Sequence, residues 1–211
     1  MKEYKLPIGC DVPETIILAD GDFPSHPLAL EWLRQCPYVV CCDGAANTYI
    51  RSGRMPEAIV GDGESLLPGI KERYASLIHS ETEQETNDLS KAFRFCLSQE
   101  RKRITIMGAT GKREDHTIGN VSLLADYMEQ AEVSMMTDYG IFVPIREDSM
   151  FESYIGQQIS VFNMNSTALS AEGLAYPLSV FTNWWQGTLN EALARHFIIR
   201  TEGKVLVFRV F

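Results

Sequence analysis

The chain has no long hydrophobic run. No stretch approaches the ~18 consecutive apolar residues that a membrane-spanning helix needs, and the opening Met1-Lys2-Glu3-Tyr4-Lys5-Leu6-Pro7 lacks the apolar centre of a secretory signal. The expectation is a soluble, cytoplasmic protein without a membrane partner. Positive charge is scarce as well: 19 Lys and Arg stand against 28 Asp and Glu, a formal charge of -9. Such a chain repels a nucleic-acid backbone, so no nucleic-acid partner is expected. A small phosphorylated ligand stays open, because a bound divalent ion reverses the local field of a few clustered acids.

The five cysteines, Cys10, Cys36, Cys41, Cys42 and Cys96, never take the Cys-x-x-Cys spacing. Reduced, mostly buried thiols are expected rather than a disulfide framework. His26, His79, His116 and His196 form no HExxH or other zinc spacing. Ser65, in Gly63-Glu64-Ser65, lacks the GxSxG elbow of a serine hydrolase.

What is present is an ordinary globular composition, 45% hydrophobic and 22% charged. From Thr15 to about Thr137, short β-branched runs alternate with amphipathic stretches. Strands are expected at Thr15 to Asp20, Tyr38 to Asp43, Ala58 to Asp62, Ile104 to Met107 and Glu132 to Met136. Helices are expected at His26 to Cys36, Ala45 to Ser52, Ile70 to Leu77, Asp88 to Ser98 and Asp115 to Met128. This alternation implies βαβ units and a mostly parallel sheet covered by helices on both faces, an α/β fold. In the last of these helices, Ile118, Val121, Leu124, Ala125 and Met128 recur at helical spacing, and that face is expected in the core. Beyond Gly140 the segments are short, β-rich and separated by Gly, Asn, Ser or Pro. The reading is therefore two domains, residues 1–139 as an α/β unit and residues 140–211 as an all-β sandwich.

Ligands of an open α/β sheet bind beyond the carboxyl ends of its strands. Here those ends read Asp20-Gly21-Asp22, Asp43-Gly44 and Asp62-Gly63-Glu64-Ser65. Asp-Gly is good turn chemistry, so any one of them has a purely structural explanation. Convergence adds a second: two unscreened carboxylates ~4 Å apart repel by about 4 kcal/mol at an effective dielectric near 20, and a hard divalent cation removes that cost. Gln84-Glu85-Thr86-Asn87-Asp88 precedes a helix carrying Lys91; it serves as a cap, or brings a further acid to the same place. Gly108-Ala109-Thr110-Gly111-Lys112-Arg113-Glu114-Asp115-His116 is a glycine-rich turn feeding a helix, where backbone N–H groups and two cations favour phosphate. It is neither a Walker A loop nor GxGxxG.

Taken in order, Asp43-Gly44-Ala45-Ala46-Asn47, Gly61-Asp62-Gly63-Glu64-Ser65, Gln84 to Asp88 with Lys91, and Gly111 to His116 resemble the thiamine pyrophosphokinase family. In the second half, Leu169 to Leu178 and Gly187-Thr188-Leu189-Asn190-Glu191 resemble it too. The resemblance implies an N-terminal α/β domain, a C-terminal β-sandwich and a homodimer with thiamine held between the α/β domain of one subunit and the β domain of the other. It implies pyrophosphate transfer from ATP to the thiamine hydroxyl with release of AMP, assisted by Mg2+. By that resemblance Asp43, Asp62, Glu64 and Asp88 are the metal-site acids, and Asp62, Asp88, Arg113 and Asp115 the catalytic set. Asn47, Ser65, Lys91, Lys112 and His116, with Asp43 and Arg113, would hold the nucleotide. Gln84, Thr188, Asn190 and Trp185 would meet thiamine. Glu64, Glu85, Asn87 and Leu189 depart from the family's usual Asp, Asp, Thr and Ser. Two other readings accompany this one, a different Mg2+-dependent phosphoryl or nucleotidyl transferase and a non-catalytic nucleotide or thiamine binder.

Overall fold

The structure, a computed structural model, describes residues 1–7 and 11–211; Cys10 lies outside the described residues. The chain runs β1 (Lys2–Tyr4), β2 (Thr15–Leu18), α1 (Pro27–Gln35), β3 (Val39–Cys42), α2 (Ala45–Arg51), β4 (Ala58–Gly61), α3 (Pro68–Arg73), β5 (Ile78–Ser80), α4 (Asp88–Ser98), β6 (Arg103–Met107), α5 (Glu114–Tyr127) and β7 (Glu132–Met136). It continues as β8 (Gly140–Ile145), β9 (Ser149–Glu152), β10 (Gln158–Asn163), β11 (Leu169–Glu172), β12 (Asn190–Glu191), β13 (His196–Thr201) and β14 (Val205–Val210). One sheet has ten strands in the order β12-β10-β14-β8-β7-β6-β2-β3-β4-β5, and a second has four, β1-β9-β13-β11.

From β7 to β5 the large sheet is parallel. Strands β2, β3 and β4 (TIIL, VVCC, AIVG) are buried at every residue, as continuous apolar strands must be when both faces are covered. Ile16, Val39, Cys41 and Ile59 pack against Leu33 of α1 and Tyr49 of α2 on one face. Ile17, Val40, Val60 and Ile106 pack against Phe93 of α4 and Leu124 of α5 on the other. The mixed α/β architecture with a C-terminal β unit is the one the sequence predicts.

The two units share the large sheet. Strand β7 pairs antiparallel with β8 through Met135↔Phe142 and Met136↔Ile141, so the sheet crosses from helix-covered parallel strands into the β unit without a break. There β8, β10 and β14 face the four-stranded sheet across a core in which Phe151 and Phe197 stack at 5.1 Å. Strand β1 leaves the N-terminal part altogether and pairs parallel with β9.

The cysteines Cys36, Cys41, Cys42 and Cys96 are free, and the last three are buried. Burial pushes the Cys41 and Cys42 thiols far above their usual range, and that of Cys96 to about 12. One expectation is corrected: Ile118 is 60% exposed, whereas Leu124 on the same face is fully buried. Helix α5 begins beyond the carboxyl edge of the sheet, so its first turn meets no strand and only its later turns reach the core. No helix among the described residues is long and apolar enough to cross a membrane.

Candidate active site

The strand order reverses at β2. From it the chain moves outward through β3, β4 and β5, then returns to β6 on its other side. Helix α1 covers one face and α5 the opposite face, so the loops leaving β2 and β6 part and open a crevice at the carboxyl edge. A cleft of about 460 Å³ lies there, lined by loop residues that follow β2, β3, β4 and β6 and by the start of α4.

The sequence-selected residues Asp43, Asp62, Ser65, Gln84, Asp88, Lys91, Lys112, Arg113 and His116 all line this cleft. Asp43 follows the last residue of β3 with φ 29, a left-handed value that non-glycine residues adopt at some cost and that clusters at functional sites. Behind it, a Cβ on Gly61 would lie 2.8 Å from the Asp43 Cβ, and a Cβ on Gly44 would lie 2.6 Å from Asp20 Oδ2. The glycines beside the acids are thus needed so that the strand ends can approach one another. Asp43 Oδ2 accepts the Ser65 N–H at 3.0 Å, while its Oδ1 is buried with no hydrogen-bond partner among the described residues. Burial pushes the Asp43 carboxyl above its ordinary range, and the neighbouring charges of Asp88 and Asp62 add to this. Asp62 is held below its ordinary value, chiefly by the Glu64 N–H that donates to its Oδ1 at 2.9 Å.

On the opposite rim, Gly108, Gly111 and Lys112 have φ of 64, 78 and 50. They turn the chain sharply between β6 and α5 and present the α5 N-terminus to the cleft. Each cation of the site has an acidic partner. Lys91, almost wholly buried, lies 3.1 Å from Asp88, Lys112 lies 3.1 Å from Asp20, and Arg113 lies 2.6 Å from Asp115. The Arg113 guanidinium holds the Asp115 carboxyl down to about 2. Asp43 and Asp62 form no ion pair among the described residues, Lys91 acting on Asp62 only at longer range, an arrangement that a divalent cation would balance. Among these residues no three of His, Cys, Asp or Glu form a ready metal cage. The donor set still suits Mg2+, which is usually held by one or two carboxylates together with phosphate oxygens and water.

Three selected residues stand just outside the lining. Asn47 braces the rim, its amide donating to Ser65 O at 2.8 Å and accepting from Leu67 N at 3.0 Å. Glu64 is exposed beside Asp62, and Asp115 meets the site through Arg113. Thr188, Asn190 and Trp185 lie in the β unit, away from this cleft. The Thr188 hydroxyl donates to Trp185 O at 2.7 Å. Asn190 is buried, its amide exchanging hydrogen bonds with the Tyr176 backbone at 3.0 and 2.8 Å, and Trp185 is 73% exposed.

Asp20, Thr86 and Asn120 also line the cleft and were not selected from the sequence. Asp20 was visible as a strand-end acid and only lacked a partner. Thr86 falls in the segment read as a cap, a role the structure gives to Asn87, which accepts from Ser90 N at 2.9 Å. Asn120 carries no signal at all; it reaches the site by bridging Ala109 O and the Asn87 amide.

Known proteins resemble this chain along most of its length. The family described as thiamin pyrophosphokinase, catalytic domain, matches residues 29–136, and thiamin pyrophosphokinase, substrate-binding domain, matches residues 140–208. Thiamine pyrophosphokinase 1 of Oryza sativa subsp. japonica is 29% identical over 49% of this chain and 49% of its own length. Thiamin pyrophosphokinase 1 of Caenorhabditis elegans is 29% identical over 48% of this chain and 45% of its own. The match thus spans about half the length of these curated relatives. Among solved structures, thiamin pyrophosphokinase from Candida albicans superposes with a TM-score of 0.81 at 17% identity, covering 100% of this chain and 93% of that one. Thiamine pyrophosphokinase from Bacillus subtilis gives 0.77 at 20% identity, covering 93% and 98%. These structures share the fold, and with its catalytic-domain match taking in more than half of the sequence, the chain belongs to the thiamin pyrophosphokinase family.

Proposed function

We propose that this chain transfers the pyrophosphoryl group of ATP to the hydroxyl of thiamine, giving thiamine diphosphate and AMP. The observation that carries the reading is the cleft itself, in which Asp43 and Asp62 stand without an ion-pair partner on one rim while Lys112, Arg113 and the α5 N-terminus face them from the other. In this reaction the thiamine oxygen bonds to the β-phosphorus, the bond from that phosphorus to the oxygen bridging it to the α-phosphorus breaks, and that oxygen leaves on AMP. Catalysis therefore needs positioning and charge neutralisation rather than a covalent nucleophile.

Asp43, Asp62 and Asp88, with Glu64 at the rim, would hold Mg2+; when bound, it supplies positive charge against the carboxylates and the phosphates. Lys112 and Arg113 hold the polyphosphate, with Ser65 and His116 beside it and Asn47 keeping the Ser65 loop in place. Asp115 keeps the Arg113 fork oriented. Lys91 fixes Asp88 through its 3.1 Å contact, and Asp88 orients the thiamine hydroxyl and receives its proton. Gln84 meets the pyrimidine ring from the mouth of the cleft.

Residues 1–139 act as the nucleotide-handling unit and residues 140–211 as the thiamine-binding and dimerising unit. In a homodimer, the β unit of a second copy would bring Trp185, Thr188 and Asn190 over the cleft. The exposure of Trp185, Leu189 and Tyr176, at 73%, 77% and 64%, supports that placement. Free thiols fit a reducing compartment, and the enzyme is assigned to the cytoplasm.

The test is purified protein with ATP, Mg2+ and thiamine. Thiamine diphosphate and AMP in equal amounts, lost on chelation and absent from Asp62→Asn, support the reading. ADP with thiamine monophosphate would instead mark a simple kinase, and ATP and thiamine binding without turnover a non-catalytic binder.

A further inference from the structure

Beyond the ends of β2 and β6, pairing continues between two loops. Ala19 N donates to Met107 O at 2.8 Å, Gly21 N to Gly108 O at 2.6 Å, and Asp22 N to Thr110 O at 2.9 Å. This fixes the Asp20 backbone against the glycine-rich loop that carries Lys112. Lys112 then folds back over the junction, its ammonium 2.8 Å from the Asp20 carbonyl and 3.1 Å from Asp20 Oδ1. The other carboxylate oxygen faces Gly44, where a Cβ would lie 2.6 Å from it. The Asp20 carboxylate thus stands between Lys112 and the start of α2, beside Asp43.

Left to itself, a lysine with a 53% exposed side chain samples many rotamers, and ordering it costs entropy when a ligand binds. We propose that Asp20 is a positioning residue for the transfer reaction: it holds the Lys112 ammonium against the acidic rim of the cleft, where the polyphosphate must be neutralised. The assignment rests on the pyrophosphoryl-transfer reading and adds a residue to it. Charge alone argues for the opposite outcome. Removing one carboxylate from an acid-rich cleft should tighten the binding of a polyanion, so the sign of the effect discriminates between the two.

The experiment is a double-mutant cycle on the full chain with steady-state kinetics at saturating Mg2+ and thiamine. Asp20→Ala is expected to raise the KM for ATP roughly threefold to fivefold, the scale of an exposed charge pair, with kcat changed by less than about twofold. Asp20→Asn, which keeps the carbonyl and a side-chain acceptor, should recover at least half of that loss. Lys112→Ala should cost about tenfold or more in kcat/KM for ATP, the scale of a charge-assisted hydrogen bond to phosphate. In the double variant, removing Asp20 should add no further loss. A lower KM in Asp20→Ala, or losses that multiply in the double variant, would overturn the assignment. So would a shifted Mg2+ requirement with an unchanged KM for ATP, which would make Asp20 a metal-side acid. A wild-type protein that makes no thiamine diphosphate fails the function reading instead, and the cycle is then read from ATP affinity by calorimetry.

Discussion

Asp88 and Asp62 both belong to the proposed reaction, yet the structure separates them by what their removal leaves behind. The Lys91 side chain is 3% exposed, and its ammonium has the Asp88 carboxylate, itself 37% exposed, as its partner at 3.1 Å. Asp62 has no such dependent. Breaking a fully buried pair by deleting one partner costs about 3 to 5 kcal/mol. The exposure of Asp88 lets water reach one side of this pair, which brings the expected cost of Asp88→Ala to about 1 to 2 kcal/mol. For a chain of this length that lowers the melting temperature by roughly 3 to 6 °C. Asp62→Ala should stay within about 0.5 kcal/mol of the parent. Both variants lose turnover. Thermal unfolding followed by circular dichroism without ligands separates them, and a third protein closes the argument: Asp88→Ala with Lys91→Met removes the stranded charge and should melt near the parent. The reasoning fails if Asp88→Ala alone melts like the parent, or if adding Lys91→Met recovers nothing.

Asp43→Asn should inactivate the enzyme while stabilising the ligand-free fold by about 1 kcal/mol at neutral pH, since it replaces a buried charge and Asn tolerates left-handed φ. The sign follows from linkage. The folded protein holds the Asp43 proton more tightly than the unfolded chain, so this carboxyl's contribution to stability is lost as pH rises through its folded value. The advantage of the Asn variant over the parent should therefore grow on going from acid to neutral pH, and an advantage that shrinks contradicts it. Gly44→Ala drives a methyl group to within 2.6 Å of Asp20 Oδ2 and should lower kcat/KM for ATP by about threefold to fivefold, as removal of the Asp20 carboxylate does, with a near-normal melting temperature. Normal kinetics would mean that Asp20 moves aside freely. Trp185→Ser, at a 73% exposed site, should leave stability unchanged and raise the KM for thiamine, but not for ATP, about twofold to thirtyfold, the range of cation–π stacking. An unchanged KM for thiamine removes Trp185 from the substrate.

Asp20, Asp43 and Asp62 were legible in the sequence because each follows the end of a strand, visible as a change of pattern, whereas Asp88 opens a helix. Lys112 and Arg113 were legible for the same reason. What the sequence conceals is pairing across distance. Nothing near Asp20 announces that Lys112, 92 residues later, lies against it, and Asn120 is only one more polar residue on a helix. Strands β1, β5 and β9, of 3, 3 and 4 residues, are too short to display a period. The apolar spacing of α5 is real as far as it goes, but Ile118 shows that periodicity reports a face and not how much of it another element covers. The passage of one sheet through both units was hidden because the strand period is the same on either side of the β7–β8 turn.

The pairing of β1 with β9 also sets an order of events. Residues 2–4 leave the ribosome well before their parallel partner, which lies at residues 149–151, and Leu6 N donates to the Glu152 carboxylate at 3.0 Å. The helix-covered strands from β2 to β7 can assemble while synthesis continues, whereas β1 must wait for β9 before it can dock. Contacts so distant in sequence form late and slow the final step of folding. An N-terminal fusion or truncation should therefore delay closure of the small sheet, on which the β unit depends, while the cleft, lined by residues that follow β2, β3, β4 and β6, is already in place.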